Sequence, residues 1–129
     1  MDSLIVQKQK FWEVNSEDKI KFQILFTHSI LSQFKFVESL SETNRVFLLI
    51  DENIWKIYKN QFEILFKNSI KKFHIKKIKP DEENKTIDSS IEIIRFLDAK
   101  SLKRKSEPVI AIGGGVILDI ASFAASIYR

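Results

Sequence analysis

Two hydrophobic patterns dominate this chain: short unbroken apolar runs, and longer stretches in which apolar residues recur every three or four positions. A third pattern comes first. In "KIKFQILF", Ile20, Phe22, Ile24 and Phe26 share one side, and Lys19, Lys21 and Gln23 the other. Such alternation marks a half-buried strand. The short, β-prone "FWEV" precedes it, and "NSED" between them supplies turn residues, so an N-terminal β-hairpin is expected. "THSILSQFKFVESLSE" follows as a helix or a loop.

"RVFLLID" is continuous from Val46 to Ile50, as in a strand covered on both faces of a parallel sheet, and it ends at Asp51. Trp55, Tyr58, Phe62, Leu65 and Phe66 then fall at helical spacing, which predicts an amphipathic helix from Ile54 to Ile70. "KFHIKKIK" reads as a second, basic strand and "PDEENKT" as a loop. Ile87, Ile91, Ile94 and Leu97 predict a second helix, "PVIAI" a third buried strand, and Val116 to Tyr128 a helix that is apolar nearly all round. Strands alternating with helices imply an α/β fold with a Rossmann-like, open, mostly parallel sheet. No repeat, low-complexity tract or Pro/Gly linker divides it, so residues 1–129 are read as one domain.

Composition narrows the classes. The chain has no cysteine, which excludes disulfides and thiolate metal sites and suits a cytoplasmic setting. No uncharged run approaches the length of a membrane helix, and the first residues do not read as a signal peptide, so no membrane partner is expected. The net charge of +4 is modest. Lys71, Lys72, Lys76, Lys77 and Lys79 cluster around one strand, but Asp81, Glu82 and Glu83 follow at once. A solvated edge strand protected by lysines accounts for the cluster better than nucleic acid, which is not expected as a partner. His28 and His74, the only histidines, read as surface residues with the wrong spacing for a metal pair.

The candidate chemistry sits at the last strand-to-helix turn. All 3 glycines of the chain are Gly113, Gly114 and Gly115. Glycine there permits a tight turn, or lets a phosphate approach the N–H groups at the start of the next helix. The ordinary dinucleotide fingerprint is not complete, since Leu118 stands where its third glycine would be. Ligands in such sheets bind beyond the carboxyl ends of the strands, where Asp51-Glu52-Asn53 and Asp81 to Lys85 also arrive. Asp51 suits either a ribose hydroxyl or the cap of the following helix. Asp119 is the only charge between Val116 and Tyr128. If it is buried, it needs donors that a hydroxyl-bearing ligand would supply.

"EPVIAIGGGVILDIASFAASIYR" resembles the glycine-rich segment of the dehydroquinate synthase superfamily, and is most similar to its sugar-phosphate cyclase branch, which includes 2-epi-5-epi-valiolone synthases acting on sedoheptulose 7-phosphate. "LLIDENIWKIY" and "PDEENKTIDSSIEIIRFLDA" agree in order and spacing, so the likeness runs from about Phe11 to Arg129. The resemblance implies an NAD-binding N-terminal lobe. By matching position, Asp51 and Asn53 would contact the adenosine end of the cofactor. Glu82 and Lys85 would contact ribose and neighbouring groups. The Gly113–Gly115 turn would carry the pyrophosphate on Gly114 and Gly115, and Asp119 would meet a ribose near the nicotinamide. In such enzymes, NAD transiently oxidises a substrate hydroxyl, phosphate is eliminated, the ketone is reduced again and an aldol step closes a carbocycle.

The resemblance also places zinc or another divalent metal, held by one Glu and two His, in a C-terminal helical domain that is not part of this sequence. An arginine that the family carries just after the "YR" pair is likewise not in it. Ser122 stands where many dehydroquinate synthases have Gly, while Leu118 suits the cyclase branch. Three readings follow: the NAD-binding lobe of a sugar-phosphate cyclase, inactive by itself; the corresponding lobe of a 3-dehydroquinate synthase; or a non-catalytic interaction module that kept the fold. The partners expected are NAD and either a separate C-terminal domain chain or a second copy meeting the apolar last helix.

Overall fold

The computed structural model describes residues 13–128. A 3-10 turn, Leu31–Gln33, leads into a short helix, α1 (Phe34–Ser39). Then β1 (Arg45–Asp51), α2 (Glu52–Lys67), β2 (Lys72–Ile78), α3 (Ile87–Ala99), β3 (Val109–Ile112) and α4 (Gly115–Ile127) follow, with a 3-10 turn at Glu82–Asn84. The three strands form one parallel sheet in the order β2-β1-β3.

The unbroken apolar run becomes the central strand. Val46 to Ile50 are 0–1% exposed, because each face of β1 is covered by different helices. Phe47 and Leu49 pack with Ile93 and Leu97 of α3 and with Ile117, Ile120, Ala121 and Ala124 of α4. Leu48 and Ile50 point the other way, onto Phe34 of α1 and Trp55 and Phe62 of α2. That second layer is largely aromatic: Phe66 stacks on Phe73 at 4.2 Å between ring centres, and Trp55 stacks on Phe62 at 5.8 Å.

β2 is an edge strand, as its lysines suggest. Two of those lysines have structural partners. Lys71 Nζ donates to the carbonyls of Glu38 and Ser41, closing the end of α1, and Lys77 Nζ lies 5.2 Å from the centre of the Trp55 ring.

The expected hairpin is not found. Ile20 to Phe26 makes no strand, and its alternating side chains are exposed: Ile20 83%, Phe22 80%, Ile24 73% and Phe26 93%. Phe11 and Trp12 of the partner segment lie outside the described residues. Alternation shows which face a strand would bury, but a strand also needs a neighbour for its ladder and a layer over its face. Glu13 to Thr27 have neither among the described residues. His74 also departs from expectation. It is half-buried, its ring stacks on Phe47 at 5.0 Å, and Nε2 has no hydrogen-bond partner among the described residues.

The amino ends of the strands are clamped by one ion pair. Glu107, 2% exposed, accepts from Arg45 Nε at 2.8 Å, Arg45 Nη2 at 2.6 Å, Thr43 Oγ1 at 2.8 Å and the Lys103 amide at 2.7 Å. Arg45 gives two further N–H groups, one each, to the carbonyls of Lys100 and Ser101, just past α3. Burial pushes the Glu107 pKa up. The hydrogen bonds from Arg45, Lys103 and Thr43, with the charge of Arg45, outweigh it and hold the carboxyl at about 2.

Two predictions follow from these buried groups. The Glu107 pKa lies below its ordinary 4.5, so its stabilisation is complete above about pH 4.5 and is lost as the pH falls towards 2. Glu107→Gln should cost on the order of 3 kcal/mol at neutral pH and flatten that acid slope in denaturant titrations; an unchanged slope would contradict the clamp. The His74 pKa is lowered by burial first, then by Lys100, Lys72 and Arg45, against the opposing charge of Glu107. Neutral His74 is therefore favoured by folding, and its contribution is lost as the pH falls from 6.5 through the folded pKa. His74→Phe keeps the stack, and should raise the melting temperature more at pH 5.5 than at pH 8.

Candidate cofactor site

The sheet order creates a crevice. The β1–β2 connection runs through α2 on one face, while α3 and α4 cover the other. The chain leaving β1 and the chain leaving β3 therefore turn to opposite faces from neighbouring strands, which is where an open α/β sheet receives ligands. The strand ends are level: Ile50 pairs with Ile112, and Asp51 with Ile78. Asp51 thus ends the central strand directly beside the Gly113 turn.

The three glycines are not equivalent. A Cβ on Gly113 would lie 2.6 Å from Ile117 Cγ1 and 2.7 Å from Ile117 Cβ. Gly113 is needed so that β3 and α4 can pack closely. A Cβ on Gly114 or Gly115 would meet nothing within 4 Å. None of the three has positive φ, so conformational freedom is not the reason for them. The bare backbone of Gly114 and Gly115 faces open space at the first turn of α4, and no side chain caps that helix. Free N–H groups, the positive end of the helix dipole and room for close approach coincide there, as a phosphate requires.

Asp51 serves as the helix cap. Its Oδ1 accepts from the amide of Asn53 at 2.7 Å and of Ile54 at 3.4 Å, which leaves Oδ2 without a hydrogen-bond partner among the described residues. Asn53 is exposed on the first turn of α2. Glu82 opens the 3-10 turn after β2 and Lys85 follows it, and Asn84 braces the turn by donating from Nδ2 to the Lys79 carbonyl.

Asp119 corrects the expectation of an unpaired buried carboxylate. Its side chain is 58% exposed, and Lys85 Nζ lies 2.7 Å from Oδ2, with Glu82 Oε1 at 4.0 Å from the same ammonium. Lys85 supplies the donor, so burial gives no reason to invoke a ligand. The hydrogen bond to Asp119, then the charges of Asp119 and Glu82, raise the Lys85 pKa and keep it charged. The contact joins the turn after β2 to α4, one turn beyond the glycines. Under it opens a cavity of about 320 Å³ with an apolar floor of Ile87, Ile120 and Phe123. This cavity was not anticipated, since those residues read as core positions of two separate helices. Lys85 and Asp119 are thus brought together, as are Asp51 and the glycine turn.

Comparisons with known proteins bear on the family and the fold. Residues 75–129 match the family model described as 3-dehydroquinate synthase N-terminal. A 2-epi-5-epi-valiolone synthase of an Actinomyces species is 31% identical over 92% of this chain, and a 3-dehydroquinate synthase of Clostridium tetani 34% identical over 95%. The chain belongs to the dehydroquinate synthase superfamily. Its fold is that of the 2-epi-5-epi-valiolone synthase ValA from Streptomyces hygroscopicus, solved with NAD+ and Zn2+ bound, with a TM-score of 0.81 and 28% identity over 92% of this chain. The chain spans about a third of the length of these relatives: 32%, 33% and 32%. Among the described residues, no group of three or more His, Asp or Glu side chains is placed to hold a metal, and no helix is long and apolar enough to cross a membrane.

The unequal glycines give a direct test of stability. Gly113→Ala should destabilise the fold by about 1–3 kcal/mol, because the added methyl forces Ile117 aside. Gly114→Ala and Gly115→Ala should unfold within about 0.5 kcal/mol of the parent. Equal losses at all three positions would mean that the open space at Gly114 and Gly115 is not there in solution.

Proposed function

We propose that these 129 residues are the NAD-binding lobe of a sugar-phosphate cyclase that eliminates phosphate from a substrate such as sedoheptulose 7-phosphate and closes a carbocycle. The observation that carries the reading is the open, uncapped backbone at Gly114 and Gly115, beside a strand end that bears Asp51. Gly114, Gly115 and the first N–H groups of α4 would hold the pyrophosphate, with the Gly113 turn setting their position. Asp51 Oδ2 and Asn53 would hold the adenosine end. Glu82, Lys85 and Asp119 would hold ribose hydroxyls. NAD bound there supplies reversible hydride removal from a substrate hydroxyl, which acidifies the neighbouring C–H and makes loss of phosphate feasible.

The cyclase reading is supported by the 2-epi-5-epi-valiolone synthases among the relatives, and by ValA in particular. The 3-dehydroquinate synthase of C. tetani, at 34% identity, keeps a 3-dehydroquinate synthase lobe as the second reading. Both readings make the same demand on this lobe. The 129 residues taken alone would bind NAD weakly and would not turn over a sugar phosphate, since a zinc-type metal and most substrate contacts belong to other parts of such an enzyme.

Isothermal titration of the purified chain with NAD should give saturable binding at high micromolar to millimolar concentration. Gly114→Ala and Gly115→Ala should each weaken it about tenfold or more while leaving the fold intact. No heat at millimolar NAD would overturn the reading, and so would equal binding by the alanine variants. Cyclase activity from these residues alone would overturn the inactivity.

A further inference from the structure

On the α2 face of the sheet, beside the glycine turn, lies a second cavity, of about 420 Å³. Ile54, Tyr58 and Phe62 of α2 and Ile112 of β3 line it, and exposed His28 and Ser29 complete it. Two links tie it to the crevice. Ile112 is the residue before Gly113, and the Ile54 amide donates to Asp51 Oδ1. Asp51 is 8% exposed, yet its Oδ2 has no hydrogen-bond partner among the described residues. A carboxylate oxygen so placed calls for a donor from outside the chain. An apolar slot with an aromatic wall thus adjoins an unmet acceptor, and the uncapped start of α4 lies just past Ile112. The far side of the glycine turn is different. There Lys85 Nζ already lies 2.7 Å from Asp119 Oδ2, and the 320 Å³ cavity opens beneath that contact.

We propose that this lobe recognises adenosine diphosphate by itself, so that ADP fills the crevice as tightly as NAD and competes with it. The adenine ring enters the cavity against Tyr58, the ribose donates to Asp51 Oδ2, and the diphosphate meets Gly114 and Gly115. The inference rests on the NAD-binding reading and adds to it a ligand that carries no nicotinamide. Adenine suits the slot because it is flat and apolar on both faces and polar only at its edge. One face stacks on an aromatic ring, and the edge is left for His28 and Ser29. The second sugar and the nicotinamide ring gain far less. Lys85 and Asp119 are already bonded to each other, with Glu82 Oε1 at 4.0 Å from the same ammonium. A ribose placed there exchanges one set of hydrogen bonds for another, with little net gain. A nicotinamide ring reaches the cavity below only by parting Lys85 from Asp119. The adenosine side carries no such internal contact at Asp51 Oδ2 among the described residues. Affinity is therefore concentrated in one half of the dinucleotide.

Titration calorimetry of the purified chain compares the two halves directly. ADP, ADP-ribose and NAD should give dissociation constants within about threefold of one another. ADP should displace NAD, and nicotinamide mononucleotide should bind at least about tenfold more weakly than ADP. Tyr58 is 41% exposed, so Tyr58→Ala should keep the melting temperature close to that of the parent. It should weaken ADP and NAD alike, by about fivefold or more. Photolabelling with an azido-adenine analogue of ADP reads the same contact in the unaltered chain. The label should fall between His28 and Leu31 or between Ile54 and Phe62. NAD binding about tenfold tighter than ADP would overturn the proposal. So would a label confined to other segments, or a folded Tyr58→Ala chain that binds ADP as the parent does. If neither ADP nor NAD binds, the cofactor reading falls and this proposal with it. If NAD binds and ADP does not, this proposal falls alone.

Discussion

The structure depends on burying β1 on both faces at once. Val46, Phe47, Leu48, Leu49 and Ile50 each contribute roughly 1.5–3 kcal/mol when removed from water, so together they match the whole net stability of an ordinary domain, about 5–15 kcal/mol. No single helix can cover both faces. The chain must send α2 to one side and α3 and α4 to the other, and the only way to do that from a central strand is to reverse direction across the sheet. The crevice between the outgoing turns is therefore a by-product of covering β1. The proposed cofactor site occupies a gap that packing obliges the fold to leave.

The two ends of the sheet divide the work. At the amino ends, Arg45 and Glu107 tie β1 to the loop before β3, with both carboxylate oxygens and most of the guanidinium N–H groups used inside the protein. At the carboxyl ends, polar groups are left available: the first N–H groups of α4, Oδ2 of Asp51, and the exposed Lys85–Asp119 pair. The glycines repeat this division within three residues. Gly113 is required by Ile117 and belongs to the packing; Gly114 and Gly115 have no described residue that a side chain there would meet.

Periodicity revealed what depends on one segment at a time. The unbroken run of β1, the 3.6-residue rhythm of α2 and α3 and the lysine-bearing edge strand were readable, because burial imposes a local pattern. Features that join distant segments left no such trace. Glu107 and Arg45 are 62 residues apart, and neither stands out among the chain's many charges. Asp119 was misplaced for a related reason. An apolar composition suggested that α4 is buried all round, whereas it buries the single stripe of Ile117, Ile120, Ala121 and Ala124 and leaves Leu118, Asp119 and Phe123 outside. The hairpin failed because alternation belongs to one strand while pairing belongs to two. For the candidate site, the sequence pointed to the open backbone turn at the glycines. It was opaque where it depends on one side chain reaching another, as Lys85 reaches Asp119.

That last contact bears on what kind of ligand the crevice suits. Acidic groups gather at the ends of β1 and β2, at Asp51, Glu52, Asp81, Glu82 and Glu83, with Lys85 among them. Carboxylates accept hydrogen bonds from hydroxyls and repel phosphate, while the α4 N-terminus does the reverse. A free phosphate would satisfy the glycine turn and gain nothing from the strand ends beside it. A simple sugar would satisfy the carboxylates and leave the helix N–H groups without a partner. A molecule with hydroxyl-bearing sugars on both sides of a pyrophosphate matches both halves. The pairing of Lys85 with Asp119 would then have a physical role: the ammonium offsets a carboxylate charge one turn beyond the glycines, which would lower the repulsion that a pyrophosphate meets there.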